Sequence, residues 1–322
     1  MPIVPSTYKP SGIFKNGHFS TIFSAKLRYV QGVQQKRQRM ILKDGDFVDI
    51  DWSFSEAEKE ATKIVFLLHG LEGNAQRPYM LGQARILNKN GYDCAAINLR
   101  GCSGEINKAY CSYHSGATED LAEVLDAIAI KRKNAQLFLC GFSLGGNIVL
   151  KYLGEKRTRP QKLQGAAAIS TPVHLKSSLL LLGTRQNKIY HWSFLKGLRK
   201  KYRLKMMHFP QQMNQNILKR ITDLRLFDEL YTAPANGFKT AADYYEKSSS
   251  LAFLPDIQVP TLLLNAANDT FLDVICYPKE AARKNKKLTL EIPEYGGHVG
   301  FHRYGENYYS EQRVLSFFEE NQ

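Results

Sequence analysis

The sequence predicts an α/β fold: a mostly parallel central sheet with helices on both faces and an inserted helical cap. Three observations predict it. Apolar runs without polar alternation recur at Ile64–Leu68, Cys94–Leu99, Leu137–Cys140, Gly165–Ile169, Pro260–Asn265 and Leu288–Ile292. Helix-compatible stretches separate several of them, at about Pro78–Asn88 and Ala117–Lys131. In the second, Leu121, Val124, Leu125 and Ile128 fall at i, i+3, i+4 and i+7. Strands apolar on both faces, alternating with helices, belong to a parallel sheet buried on both sides. Third, the alternation breaks between about His174 and Thr240, where no strand runs occur.

Taken in order, the first 35 residues carry Pro2, Pro5 and Pro10 and little periodicity, which predicts an extended strap over the domain. Gln38–Leu42 and Phe47–Trp52 flank Lys43-Asp44-Gly45-Asp46, and Asp-Gly is a strong hairpin-turn signal. The strand–helix series then runs to residue 173. The stretch 174–240 is expected to be an inserted basic helical cap, with the core completed by 241–322. A final helix from about Tyr308 to Phe318 closes the domain.

Of the 322 residues, 44 are Lys or Arg and 30 are Asp or Glu, a net charge of +14. Eleven of those cations lie between Lys176 and Arg220, a stretch without a single acid. Charge so concentrated, with Ile189, Trp192, Leu195, Leu198 and Tyr202 at helical spacing, fits peripheral contact with an anionic membrane surface or a solvated basic face. No nucleic-acid-binding motif accompanies it, so no nucleic-acid partner is expected. No apolar run is long enough to span a bilayer, and no secretory signal is visible. The five cysteines have no C-x-x-C spacing and read as free thiols. A cytoplasmic protein is the expectation.

The chemistry concentrates at Gly141-Phe142-Ser143-Leu144-Gly145, a G-x-S-x-G pattern between a strand run and a helix-compatible run. The bare pattern occurs by chance in roughly one chain in ten of this length, so its partners decide its meaning. A serine hydroxyl needs an adjacent base, and the base needs an orienting acid. An acid follows the Pro260–Asn265 run in Asn268-Asp269-Thr270, and a histidine follows the last strand run in Gly296-Gly297-His298. Ser143 is thus expected as nucleophile, His298 as general acid/base and Asp269 as the acid that fixes the imidazole tautomer. Asp273 is the rival acid. His298 and His302 could form a metal pair, but the glycines argue against helix there and no third ligand is evident. A surface His302 is the better reading, and neither metal nor cofactor is expected. His69, before Gly70 at a strand end, suits a structural role. The oxyanion donors should be the backbone N–H groups of Leu144 and Leu71.

Several strings extend the pattern: Asn16-Gly17-His18-Phe19-Ser20-Thr21-Ile22, His69-Gly70-Leu71-Glu72-Gly73, Asn98-Leu99-Arg100-Gly101-Cys102-Ser103-Gly104, the Ser143 turn, and Gly296-Gly297-His298-Val299-Gly300-Phe301. With these the chain resembles the α/β-hydrolase superfamily, and within it the YheT-like branch related to abhydrolase-domain lipases and yeast medium-chain fatty acid ethyl ester synthase/esterases. The resemblance implies carboxylesterase or lipase-like action on a small acyl ester, with the triad at Ser143, Asp269 and His298. Relatives often show two consecutive acids where this chain has Asn268-Asp269, and glutamine where it has Ser20. Thioester hydrolysis, acyl transfer to alcohols and a non-catalytic hydrolase-fold binding protein are the alternatives.

Overall fold

The computed structural model describes residues 2–56 and 62–321. Nine strands form one sheet: β1 (Ile3–Val4), β2 (Lys36–Ile41), β3 (Phe47–Ser53), β4 (Lys63–Leu68), β5 (Tyr92–Asn98), β6 (Gln136–Phe142), β7 (Leu163–Ile169), β8 (Thr261–Leu264) and β9 (Leu288–Glu291). Their order is β1-β9-β8-β7-β6-β4-β5-β3-β2. Pairing is parallel from β1 through to β5, while β3 runs antiparallel to β5 and to β2.

The continuous apolar runs follow from burial on both faces. Ile64, Phe66 and Leu68 of β4 join an apolar layer with Leu125 of α3 (Glu119–Lys131) and Ile148 of α4 (Leu144–Gly154). Val65 and Leu67 point the other way, into a layer holding Met80 and Leu87 of α2 (Pro78–Lys89). Phe317 and Phe318 of the terminal helix Tyr309–Glu320 complete that second layer. In such a sheet ligands bind beyond the carboxyl ends of the strands.

The strap departs from the extended form expected. Ile3–Val4 adds a short strand beside β9, Gly12–Lys15 forms a 3₁₀ turn, and α1 (Gly17–Ile22) follows with a π-helical turn at Phe23–Leu27. The Asn16 side chain caps α1 by accepting from the Phe19 N–H. Six residues are too few to hold a helix alone, so packing supplies the stability.

Between the core strands β7 and β8 the described backbone is helical: α5 (Leu175–Leu182), α6 (Lys188–Met206), α7 (Gln215–Arg220), α8 (Leu224–Phe227), α9 (Ala233–Ala235) and α10 (Ala241–Ser248). Leu195, Leu198 and Tyr202 of α6 pack on Leu218, Ile221, Leu224 and Phe227. The basic charge is not all on the outside. Lys205 is buried and donates to the carbonyls of Ala109, Tyr110 and Cys111, with its pKa lowered to about 8 by burial. α11 (Lys279–Lys284) and α12 (Tyr309–Glu320) finish the chain. No described helix is long and apolar enough to cross a membrane.

Candidate active site

Ser143 sits between β6 and α4 with φ 53° and ψ −118°. Both flanking glycines are required by space. A Cβ on Gly141 would run into the Gly145 carbonyl, and one on Gly145 into the carbonyls of Leu68 and His69. With no side chain in either place, β6 and α4 cross close to β4 and leave Ser143 beyond the end of the sheet.

Three elements distant in sequence meet there. The Ser143 hydroxyl donates to His298 Nε2 at 2.9 Å, and His298 Nδ1–H donates to Asp269 Oδ2 at 2.8 Å. Asp269 follows β8 and His298 follows β9, both at carboxyl strand ends. The other Asp269 oxygen accepts from the Phe271 N–H at 2.9 Å, and the carboxylate side chain is fully enclosed. The Phe271 ring lies 4.3 Å from the imidazole, centroid to centroid. Asp273 stands apart from this chain of bonds. Its carboxylate instead accepts from the Ile275 N–H at the start of a 3₁₀ turn.

Among the described residues, neither the Leu71 nor the Leu144 amide donates to a protein acceptor. Leu144 opens α4, where the helix leaves its first N–H groups free and its dipole favours negative charge. The neighbours of Leu71 are fixed: Gly70 N–H donates to Tyr79 Oη, and Glu72 N–H to Tyr113 Oη. His69 buttresses this loop from beneath. Its Nε2 accepts from the Leu99 N–H, so Nδ1–H donates to the Gly70 carbonyl. Complete burial pushes its pKa down to about 3 and keeps the ring neutral.

His302 differs from its sequence reading, and Arg100 gains a role the sequence did not assign. His302 is half-buried, stacked on Phe14 of the strap at 3.4 Å with ring planes 3° apart. Arg100, at a strand end, pairs with Asp44, Asp46 and Asp120 and so clamps the hairpin turn.

The structure also gives roles to residues that the sequence analysis quoted without assigning one. Asn268 accepts from the Gly297 N–H through Oδ1 and donates to the Lys15 carbonyl through Nδ2, joining the acid loop, the histidine loop and the strap. Thr21 Oγ1 accepts from the His298 N–H at 2.8 Å and donates to the Gly17 carbonyl. Gly297 has φ 57°, and a Cβ there would strike the Gly17 carbonyl. Ser20, fully buried, donates to the Gly296 carbonyl. The segment Gly17–Thr21 therefore holds the histidine loop in place.

Two cavities meet at Ser143, His298, Leu71, Phe194 and Phe271. One, of about 120 Å³, is walled mainly by apolar side chains such as Leu175, Leu179, Leu182, Leu198 and Phe227. Asp228 also faces it, bonded by the Tyr245 hydroxyl at 2.8 Å and with its pKa pushed up to about 6 by burial. The other, of about 290 Å³, lies between the strap, the Gly70–Glu72 loop and α6, and carries Lys26, Glu72 and Arg77. Among the described residues, no group of three or more His, Cys, Asp or Glu side chains is arranged to hold a metal.

The model of the α/β-hydrolase fold family matches residues 63–302. YheT of Escherichia coli (strain K12), which carries an esterase name, is 32% identical over 89% of this chain and 85% of its own. Phospholipase ABHD3 of Mus musculus is 28% identical over 93% of this chain and 74% of its own. Among solved structures, the Pyrococcus furiosus esterase Pf2001 superimposes with a TM-score of 0.59 at 18% identity, covering 89% of this chain and 91% of that one. That likeness concerns the fold.

Proposed function

The chain belongs to the α/β-hydrolase family, and from that premise we propose that it is a serine hydrolase of carboxylic esters working through an acyl-enzyme. The observation that carries this reading is the continuous hydrogen-bonded path Ser143–His298–Asp269, with all three groups at carboxyl ends of parallel strands. His298 takes the hydroxyl proton as Ser143 Oγ attacks the acyl carbonyl. Asp269 keeps the Nδ1–H tautomer and stabilises the imidazolium that forms. The N–H groups of Leu71 and Leu144 receive the developing oxyanion, an interaction typically worth roughly 10²–10³ in rate per donor. His298 then returns the proton to the leaving oxygen, and water cleaves the acyl-enzyme by the same steps. The apolar cavity accepts the acyl chain, and the helices at 174–240 act as a cap over it.

Ser143→Ala is expected to abolish turnover of short- and medium-chain p-nitrophenyl esters and labelling by a fluorophosphonate. Wild-type rates in the folded variant would refute the assignment.

The outer face of α6 favours one addition, peripheral contact with an anionic lipid surface. Ile189 and Trp192 are exposed, Leu180 of α5 likewise, and Lys196 lies 5.0 Å from the Trp192 ring. Apolar side chains among unopposed cations suit an interface of anionic headgroups. The protein should float with vesicles containing phosphatidylserine and lose that binding in Trp192→Ala. Equal partitioning onto neutral and anionic vesicles would rule the contact out.

A further inference from the structure

The turn that carries the Leu71 N–H is built on an ill-suited residue. Gly73 N–H donates to the Gly70 carbonyl at 3.0 Å, closing a turn over Leu71 and Glu72. Glu72, third in that turn, has φ 53°, a left-handed backbone that glycine or asparagine adopts more readily. Local preference works against this backbone, so bonds from other elements must hold it. Tyr113, Arg77, Lys201 and Gly197 converge on Glu72. Its N–H donates to Tyr113 Oη at 2.9 Å, and the same hydroxyl donates back to Oε1 at 2.8 Å. Its carbonyl accepts from Arg77 at 2.6 Å. The other two contacts come from the cap. Lys201 Nζ of α6 donates to Oε1 at 2.7 Å, with the Cys102 sulfur 3.1 Å away. Gly197 lies one turn earlier on the same face of α6, so close that a Cβ there would come within 2.5 Å of Oε2. The Glu72 side chain is 12% exposed and that of Lys201 27%, so water screens their attraction only in part. Leu71 itself packs against the apolar cluster of the cap that holds Leu195 and Leu198.

We propose, on the triad and oxyanion assignment above, that Glu72 is a positioning residue for the hydrolysis. Its carboxylate ties the turn holding the Leu71 N–H to α6, so this oxyanion donor is in place only while the cap is seated. Glu72 acts through the Leu71 N–H and not on the substrate itself. The Leu144 N–H is set by α4 and does not depend on the cap. A loosened Glu72 turn therefore weakens one of two donors. The developing oxyanion loses more by this than the neutral ester does, so the effect falls on kcat.

Lys201→Met in the full chain should lower kcat on p-nitrophenyl octanoate about tenfold, with KM little changed. Two ketones of equal chain length separate positioning from mere anchoring of the cap. Octyl trifluoromethyl ketone takes up Ser143 Oγ at its carbonyl carbon while His298 takes the hydroxyl proton, which places an oxyanion between the two N–H groups. Octyl methyl ketone binds unreacted. The inhibition constant of the first should rise by about the same tenfold, and that of the second should hold. In a Glu72→Gly background Lys201→Met should add nothing, because the clamp is already gone and glycine accepts the backbone. Gly197→Ala presses on Oε2 with Lys201 in place and should give the same split between the ketones; it carries the test if Lys201→Met does not fold. Equal weakening of both ketones, losses that add in the double variant, or an unchanged kcat would reduce Lys201 to an anchor of the cap and overturn the proposal. Turnover persisting in Ser143→Ala, or a trifluoromethyl ketone that binds the wild type no tighter than the methyl ketone, would overturn the triad and oxyanion reading instead.

Discussion

His69, His114 and Asp228 contribute to the acid response of the fold without taking part in the proposed chemistry. Burial lowers the pKa of His69 to about 3 and that of His114 to about 4, while unfolded histidines titrate near 6.5. Between those values the unfolded chain binds more protons, so stability is lost as pH falls below about 6.5. Asp228 works the other way. Its pKa rises from 3.8 to about 6, so the folded chain takes up the extra proton and stability is gained as pH falls through that window. Asp228→Asn should therefore steepen the loss between pH 6.5 and 4.5, as read from urea unfolding at each pH. A shallower loss would contradict the assignment. The three residues of the Ser143–Asp269–His298 path were legible in sequence because chain order and strand-end position are local properties. Asn268 and Thr21 were not, because their value lies in bonds to residues 29 and 277 positions away.

Among the elements, α1 is the least legible and the most consequential for the site. Its sequence offers a good cap in Asn16 but only one and a half turns, so propensity cannot settle its state. The long runs behaved differently: burial on both faces of the sheet writes itself into consecutive apolar residues, and strands β4 to β9 fall where those runs lie. The basic stretch of α6 was readable as helix, but not the burial of Lys205, since a lysine satisfied by three loop carbonyls looks like any other lysine in sequence. The role of α1 can be checked at Thr21. Thr21→Val keeps the shape and removes the acceptor for the His298 N–H. Leaving that donor unpaired costs about 1–3 kcal/mol and loosens the hold of the strap on the loop that positions the His298 ring. We expect kcat on p-nitrophenyl esters to fall roughly tenfold with KM little changed. An unaltered kcat would mean the loop holds itself.

At the scale of the whole molecule, the site is assembled from both ends of the chain and the middle. The strap reaches the cap through His18, whose ring stacks on Tyr190 with an Nδ1 to Oη separation of 3.1 Å. The cap reaches the core through Lys201 on Glu72 and through Asn187, which donates to the Thr270 carbonyl beside Asp269. The fold class and the need for a helical insertion were readable from the alternation of runs and its interruption. How strap, cap and core interlock was not, because those contacts join side chains with no shared periodicity.

The backbone of Ser143 carries one more consequence. A residue with a β-carbon at φ 53° and ψ −118° occupies a region that glycine tolerates far better, at a cost of order 1–3 kcal/mol. The rest of the fold maintains that strain so that the hydroxyl stands clear. If Ser143 is the nucleophile proposed above, its position is a thermodynamic liability kept for reactivity. Ser143→Ala and Ser143→Gly both lose the hydroxyl, but only glycine relaxes the turn. Ser143→Gly should therefore melt about 2 °C or more above Ser143→Ala by calorimetry, despite the entropy glycine adds to the unfolded chain. Equal melting temperatures would mean that the elbow stores no strain.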